Sequence, residues 1–306
     1  MYFLSFPKFK NLIAIIICSL FIVNCGEAKP EANPEYVNEI DSWHKGRIEN
    51  LKKPTGWLNL VGLHWLKEGE NKFGSDPSND IVFPKEKADP FLGSFILKEG
   101  KVIIKVNDDV EIKNEDTKVT EMLLQTDAEE NTTILTHKTL AWFIIVREDK
   151  IGVRVRDFEA PLLAEFEGVE RFPVDENWKV EAKFVPYDPP KQIIIPSIIG
   201  TKSETECKGK LEFVVEGKTY SLDPTGSGNL FLVFADETNG VDTYGAGRFL
   251  VVAEPDSTGK TFIDFNKAYN PPCAFTKFAT CPLPPKDNYL HLKVTAREKK
   301  YGDGHH

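Results

Sequence analysis

Short segments with strand-type alternation of apolar residues make up almost all of the chain after Lys53. Apolar residues recur at helical spacing only between Tyr36 and Leu51, where Pro34 takes a first-turn position and Pro54 follows the end. The later segments are rich in Val, Ile and Phe and are separated by charged residues or by Gly, Asp and Asn. The sequence therefore predicts an all-β protein, a sandwich or barrel of many short antiparallel strands, with one short N-terminal amphipathic helix.

The clearest predicted hairpin joins Leu140–Arg147 to Ile151–Asp157 through a short charged turn. Alternation along the second strand puts Arg154 and Arg156 on one face, opposite two valines. Two guanidinium groups on one face suit the oxygens of a carboxylate or phosphate, so both residues are candidate ligand-binding residues. The alternative is that they form ion pairs, for example with Asp157, on a solvent-facing sheet.

The N-terminus has the layout of a bacterial lipoprotein signal peptide. Lys8 and Lys10 precede an apolar run over residues 12–23, and Cys25 follows it. The run is too short for a membrane span, which needs about 20 apolar residues. We therefore expect residues 1–24 to be a signal peptide and Cys25 to carry a lipid that anchors the protein in the cell envelope.

On this interpretation the chain divides into four ranges. After the signal peptide (residues 1–24), residues 25–34 form a tether, residues 35–185 contain the helix and a first β-rich part, and residues 186–302 contain a second β-rich part. One continuous domain is the alternative to a division at 185/186. Gly26 after the lipidated cysteine, instead of Asp, favours attachment to the outer membrane, facing the periplasm or the surface.

Charge and cysteine content restrict the partners. The net charge of −9 becomes −11 once Lys8 and Lys10 are removed, which argues against nucleic acid as a partner. Cys207, Cys273 and Cys281 remain after processing. In an oxidising compartment a Cys273–Cys281 disulfide with Cys207 as a buried thiol is expected. A zinc site of these thiolates with His291 is the alternative, but no Cys-x-x-Cys pair is present, and we predict no metal and no cofactor.

Polar residues gather near the ends of two late predicted strands. The candidate ligand-binding residues there are Tyr244, Arg248, Asp264, Asn266 and Tyr269. Asp264 and Asn266 alternate with an aromatic residue and are expected to share one face of a strand. Such a cluster can bind a small molecule or a glycan. It can instead be a buried network in which Arg248 pairs with Asp264.

A hydrolase is the alternative function, with Asp236 and Asp264 as general acid and base. The sequence has no Gly-x-Ser-x-Gly elbow, no His-Glu-x-x-His pair and no phosphate-binding glycine loop of the Walker or Rossmann type. A small-molecule or glycan binding module at the cell envelope is therefore the leading functional prediction, and a purely structural envelope protein is the third.

Several strings resemble the bacterial and archaeal domain of unknown function family 1684, over about residues 40 to 300. They are Pro54-Thr55-Gly56-Trp57-Leu58, Arg154-Val155-Arg156-Asp157, Thr243-Tyr244-Gly245-Ala246-Gly247-Arg248-Phe249, Asp264-Phe265-Asn266-Lys267-Ala268-Tyr269-Asn270-Pro271-Pro272-Cys273 and Thr280-Cys281-Pro282-Leu283-Pro284-Pro285. The resemblance implies family membership and no particular activity.

A second resemblance links residues 73–84 to the opening of forkhead-associated domains, which bind phosphothreonine peptides. Ser75 stands where those domains have an arginine, and no Ser-Arg-x-His string follows. The resemblance implies a similar β-sandwich strand and turn, and phosphopeptide binding is not expected.

Overall fold

The computed structural model describes residues 1–3 and 32–302 and is dominated by antiparallel β-sheets, as predicted. Residues 32–302 belong to one compact unit. The helices are α1 (Pro34–Lys52) and α2 (Pro161–Glu165). The strands are β1 (Leu60–Trp65), β2 (Gly69–Gly74), β3 (Ile81–Val82), β4 (Gly93–Lys98), β5 (Lys101–Val106), β6 (Lys113–Asn114), β7 (Thr117–Lys118), β8 (Glu121–Leu124), β9 (Leu135–His137), β10 (Leu140–Arg147), β11 (Lys150–Asp157), β12 (Lys179–Pro196), β13 (Lys202–Val215), β14 (Lys218–Leu222), β15 (Leu230–Asp236), β16 (Arg248–Val252), β17 (Lys260–Asp264) and β18 (Tyr289–Leu290).

Helix α1 begins and ends where the sequence predicts. The side chain of Asn33 caps its N-terminus by accepting a hydrogen bond from the backbone N–H of Glu35, and Pro34 fills the first turn. Tyr36, Ile40 and Leu51 are its buried residues. In the described part of the chain, residues 1–3 and 32–302, no helix has the length and apolarity needed to cross a bilayer.

The N-terminal half packs a five-stranded sheet (β3-β2-β4-β5-β8) and a six-stranded sheet (β1-β11-β10-β9-β6-β7) around one core. Aromatic rings fill its centre: the ring centroids of Phe73 and Phe95 lie 4.2 Å apart, and Phe83 meets Trp142 edge-on at 5.2 Å. The predicted hairpin forms β10 and β11, with Arg147 opposite Lys150.

The C-terminal half combines a four-stranded sheet (β14-β13-β12-β17) with a three-stranded one (β16-β15-β18) around a second core. A third core, which includes Leu51, Phe166 and Phe275, lies among α1, α2 and the 273–281 loop. All three cores are formed by residues of this one compact unit.

The proline-rich stretch at 185–190 lies inside β12, and so does the predicted boundary at 185/186. The register of β12 against β13 shifts between Pro186 and Lys191, which accommodates the prolines without ending the strand. Beyond that irregularity, β12 and β13 continue as a two-stranded ribbon whose connection spans residues 197–201. We call residues 193–203 the ribbon tip.

Candidate functional site

The predicted cluster of late polar residues is two separate networks in the structure. In the first, Arg248 pairs with Asp236 and not with Asp264, so that predicted pairing was wrong. The guanidinium Nη2 lies 2.6 Å from Asp236 Oδ2, and both side chains are fully buried. The physical reason is register: β15 and β16 are neighbours and place Phe234 opposite Arg248, whereas Asp264 ends β17 in another sheet.

Neighbouring groups form further hydrogen bonds with both members of this ion pair. Arg248 Nη1 donates to the carbonyl oxygen of Ala296 at 2.6 Å, and Nη2 donates to that of Val294 at 3.0 Å. Asp236 Oδ1 accepts the backbone N–H of Thr238 at 2.9 Å and its hydroxyl at 2.6 Å. Burial lowers the pKa of Arg248, and the carboxylate opposes that change. The arrangement ties β15, β16 and the C-terminal segment together.

The second network joins Asp264 to helix α1. Asp264 Oδ1 accepts the hydroxyl of Tyr36 at 2.8 Å and the backbone N–H of Asn266 at 3.1 Å. Asn266 Nδ2 donates to the same Tyr36 hydroxyl at 3.0 Å, and burial raises the tyrosine pKa. Asp264 and Asn266 do not share a strand face as predicted, because β17 ends at Asp264, which caps a short 3-10 turn over Phe265–Lys267.

The two predicted tyrosines belong to the third core. Tyr244 donates its hydroxyl to the carbonyl oxygen of Cys273 at 3.1 Å. Tyr269 packs edge-on against Phe249, and the guanidinium carbon of Arg47 lies 4.8 Å from its ring centroid. Neither tyrosine side chain forms a hydrogen bond with Arg248, Asp236 or Asp264 among the described residues, although the Tyr244 carbonyl oxygen accepts Asn239 Nδ2 at 2.7 Å and Asn239 Oδ1 accepts the backbone N–H of Asp236.

Arg154 and Arg156 do not face solvent, so the predicted surface ion pairs are wrong. Arg154 is 2% exposed and lies under the ring of Trp57, with 5.7 Å from its guanidinium carbon to the ring centroid. Arg156 Nη1 donates to Asn59 Oδ1 at 2.7 Å and to the carbonyl oxygen of Gly56. The segment 54–59 covers this face of the sheet, which is therefore buried on both sides.

A second arginine joins Arg154 at a shared hydroxyl. Arg147 Nε donates to Thr280 Oγ1 at 3.0 Å, and Arg154 Nη2 donates to the same oxygen at 3.1 Å. Arg147 also pairs with Asp127, with 2.8 Å between Nη1 and Oδ2. Within residues 32–302, Arg154 has no carboxylate at ion-pair distance, and its Nε is buried without an acceptor. Burial and the charge of Arg147 lower the pKa of Arg154 to about 10.

Thr280 and Arg147 line a cleft of about 180 Å³, which we call the Thr280 cleft. Its other walls come from the ribbon tip, Pro282 and Glu148. Arg154 bonds to Thr280 but does not line the cleft itself. The lining of the cleft therefore includes one cationic group, Arg147, and a hydroxyl that a second, buried cationic group contacts.

The loop that carries Thr280 is fixed on both sides. Cys273 and Cys281 form a disulfide, with Cα atoms 6.1 Å apart. The ribbon tip holds the other side, because Ile198 donates its N–H to the carbonyl oxygen of Cys281 at 3.0 Å. Cys207 is a buried free thiol, so the three thiolates do not meet as the zinc alternative requires. The described residues contain no group of three or more His, Cys, Asp or Glu that could hold a metal ion.

Residues 164–299 match the family described as "Protein of unknown function (DUF1684)". This segment belongs to the DUF1684 family. The match begins later than the predicted start near residue 40, so the DUF1684 segment contains Thr280 and the disulfide, whereas Arg147 and Arg154 precede it. No protein of curated function matches the chain.

Two solved structures are similar to parts of the chain. An uncharacterized protein of Haloarcula marismortui, solved by solution NMR, is 31% identical over 44% of this chain and 78% of its own, with a TM-score of 0.37. An FHA domain studied for phosphothreonine-dependent interactions is 12% identical over 31% of this chain and 92% of its own, with a TM-score of 0.22. Both TM-scores are low, and we base no structural conclusion on them.

Sequence reasoning identified Arg154 but missed Arg147 and Thr280. Arg147 and Thr280 are 133 residues apart in the sequence and meet only through the packing of the β10–β11 hairpin against the 273–281 loop. One signal was available: Thr280 directly precedes Cys281 in a proline-rich string of the family resemblance. Cys25 lies outside the described residues.

Proposed function

We propose that this protein is a lipid-anchored envelope protein that binds a small anionic molecule in the Thr280 cleft. The observation that carries the proposal is the convergence of two arginines, of which only Arg147 has a carboxylate partner among the described residues, on one hydroxyl. A buried cation without a counter-charge is costly, and a bound carboxylate or phosphate would compensate it. The signal-peptide pattern ending at Cys25 supports the envelope location.

The donors at the cleft are free to bind an anion. A threonine hydroxyl accepts two hydrogen bonds and donates one. Both acceptor positions of Thr280 are taken by the arginines, and its proton has no acceptor in the described part of the chain. Arg147 uses Nε and Nη1 for protein contacts, which leaves Nη2 for a ligand. Charge-assisted bonds of this kind are the strong ones.

Binding is favoured over hydrolysis for a specific reason. The hydrolase alternative needs Asp236 and Asp264 as a cooperating pair. Asp236 is fully buried with its oxygens occupied by Arg248 and Thr238, and Asp264 is bonded to Tyr36 and Asn266 in the other network. A general acid or base needs a proton path to a substrate, and neither carboxylate lines the Thr280 cleft.

The test is a calorimetric titration of residues 32–306 with phosphate and with acetate at low ionic strength. We expect Thr280→Val, which keeps the side-chain shape, to weaken binding about 10-fold or more, since a hydrogen bond to a charged group contributes about 1.5–3 kcal/mol. Arg147→Gln and Arg154→Met should weaken it as well. Arg156→Gln is the matched control, because Arg156 is bonded to Asn59 and does not reach the cleft.

Two results would refute the proposal. The first is that neither anion binds the wild-type protein. The second is that the anions bind wild type and Thr280→Val with equal affinity. A protein that binds no anion and loses only stability in these variants would match the structural alternative. The anchor has its own test, in which intact mass shows a lipid on the wild-type protein from membranes and none on Cys25→Ser.

A further inference from the structure

We infer that the ligand of the Thr280 cleft is a monoanion with a short apolar tail, such as a short-chain monocarboxylate. This inference rests on the proposed function and adds the chemical class of the ligand. Different segments line the cleft with different chemistry: Arg147 and Thr280 supply polar donors, and the ribbon tip supplies apolar side chains. A ligand that satisfies both must be amphiphilic.

Apolar side chains form one wall of the cleft. Ile195, Pro196 and Ile199 of the ribbon tip and Pro282 line the cleft, and all four are partly exposed. Ile198, which is 42% exposed, stands at the turn beside them. Burying this surface under a ligand tail is favourable by about 25 cal/mol per Å².

Two of the three hydroxyl groups on the same wall bond to each other. Ser197 Oγ and Thr201 Oγ1 lie 2.7 Å apart, and Ser197 Oγ also accepts the backbone N–H of Thr201 at 3.2 Å. The third hydroxyl, that of Ser203, also lines the cleft. The charged donor that lines the cleft is Arg147, so the anionic group of a ligand is expected to lie there.

Volume limits the length of the tail. A cleft of 180 Å³ holds about six water-sized groups at roughly 30 Å³ each. A carboxylate takes about three of these positions, which leaves room for about three further carbons. A ligand of about four carbons therefore fills the cleft, and a longer chain would extend into solvent.

A negative charge in the lining limits the ligand to one anionic group. Glu148 lines the cleft and is exposed, and its backbone has a φ of 54° in the tight β10–β11 turn. A ligand with two carboxylates would bring a second negative charge into a cleft that already contains this one. Like charges at short distance repel, so dicarboxylates should be rejected.

Hydrogen bonds fix the position of the ribbon tip relative to the loop that carries Thr280. Ile198 donates to the carbonyl oxygen of Cys281 at 3.0 Å, and Leu283 donates to that of Pro196 at 2.7 Å. The disulfide fixes the same loop from the other side. A preformed site loses less conformational entropy on binding, so a small ligand can still bind measurably.

The experiment is a chain-length series on residues 32–306: acetate, propionate, butyrate, valerate and octanoate, each titrated by calorimetry. Affinity should rise about threefold per methylene from acetate to butyrate, since a fully buried methylene contributes about 0.8 kcal/mol and this wall is partly exposed. Valerate and octanoate should gain little over butyrate. Glutarate, with the carbons of valerate and a second carboxylate, should bind at least 10-fold more weakly than valerate.

Two ribbon variants locate the tail. Ile199→Ser should flatten the series, so that butyrate and valerate bind little more tightly than acetate. Ile194→Ser is the matched control, because Ile194 is 55% exposed and alternation puts it on the face opposite Ile195. It should leave the series as in wild type.

The outcomes separate this inference from the proposed function. If acetate and valerate bind equally and both need Thr280, the tail is refuted and anion binding stands. If glutarate binds as well as valerate, or Ile194→Ser flattens the series as much as Ile199→Ser, the assigned wall is wrong. If no member of the series binds, the inference fails, and if phosphate does not bind either, the proposed function fails with it.

Discussion

Replacing Arg248 with methionine should cost about 4 kcal/mol of the free energy of unfolding. Methionine keeps the apolar part of the side chain and removes the charge. The change leaves the Asp236 carboxylate fully buried without its partner, and it removes the donor to the carbonyl oxygens of Ala296 and Val294. Removing one member of a buried ion pair typically costs about 3–5 kcal/mol, a large fraction of a typical total of about 5–15 kcal/mol.

The second variant separates charge from packing. Asp236→Asn keeps an oxygen for the N–H and hydroxyl of Thr238 but is neutral. Added to Arg248→Met, it removes the uncompensated charge, so the double variant should be about 2 kcal/mol more stable than Arg248→Met alone. Lys260→Met, which breaks the exposed ion pair with Glu181, is the control and should change little.

The assay is urea unfolding of residues 32–306 at pH 7, followed by circular dichroism and fitted for both the free energy and the slope. A cost below about 1 kcal/mol for Arg248→Met would refute the reasoning, because it would mean that the buried carboxylate is solvated or neutral at no expense. A double variant whose cost equals the sum of the single costs would refute the assumed coupling.

Two further predictions concern the disulfide and one histidine. Replacing Cys273 and Cys281 together with serine should lower the free energy of unfolding by roughly 2–3 kcal/mol by the chain-entropy model. Reductant should bring the wild-type protein to the same urea midpoint. A midpoint that reductant leaves unchanged would contradict this prediction. Burial and the charge of Arg297 lower the pKa of His44 to about 4, so between pH 6.5 and 4 the unfolded chain binds more protons and stability falls with falling pH. His44→Gln should reduce that fall by about 1–2 kcal/mol after allowance for its partial exposure, and an identical fall in both proteins would show that His44 does not cause it.

The spacing of the apolar residues and their secondary-structure propensity were sufficient to predict one helix and several strands. The change from helical to alternating spacing near Lys53 predicted α1 and the all-β remainder. The hairpin of β10 and β11 was also predicted, because its strands are adjacent in sequence and joined by a short turn. Such features depend on residues that are close in the sequence, and their spacing can be read from the sequence directly.

The sequence did not predict which charged side chains are buried. Arg154 alternates with valines as a surface residue of a two-sided sheet would, yet the segment 54–59 covers it. Asp264 and Asn266 are two residues apart as in a strand, yet the strand ends between them. Alternation indicates which residues share a face only if the strand continues, and it does not indicate what covers that face.

The sequence by itself determined the β-class of the protein, its N-terminal helix and the tight hairpin, because each is set by the spacing of nearby residues. Only the tertiary structure decided that Arg248 pairs with Asp236 and that Arg147, Arg154 and Thr280 meet at one cleft. These groups are brought together by sheet register and by the packing of distant loops. The energy of such contacts depends on distance and burial in three dimensions, which residue order alone does not specify.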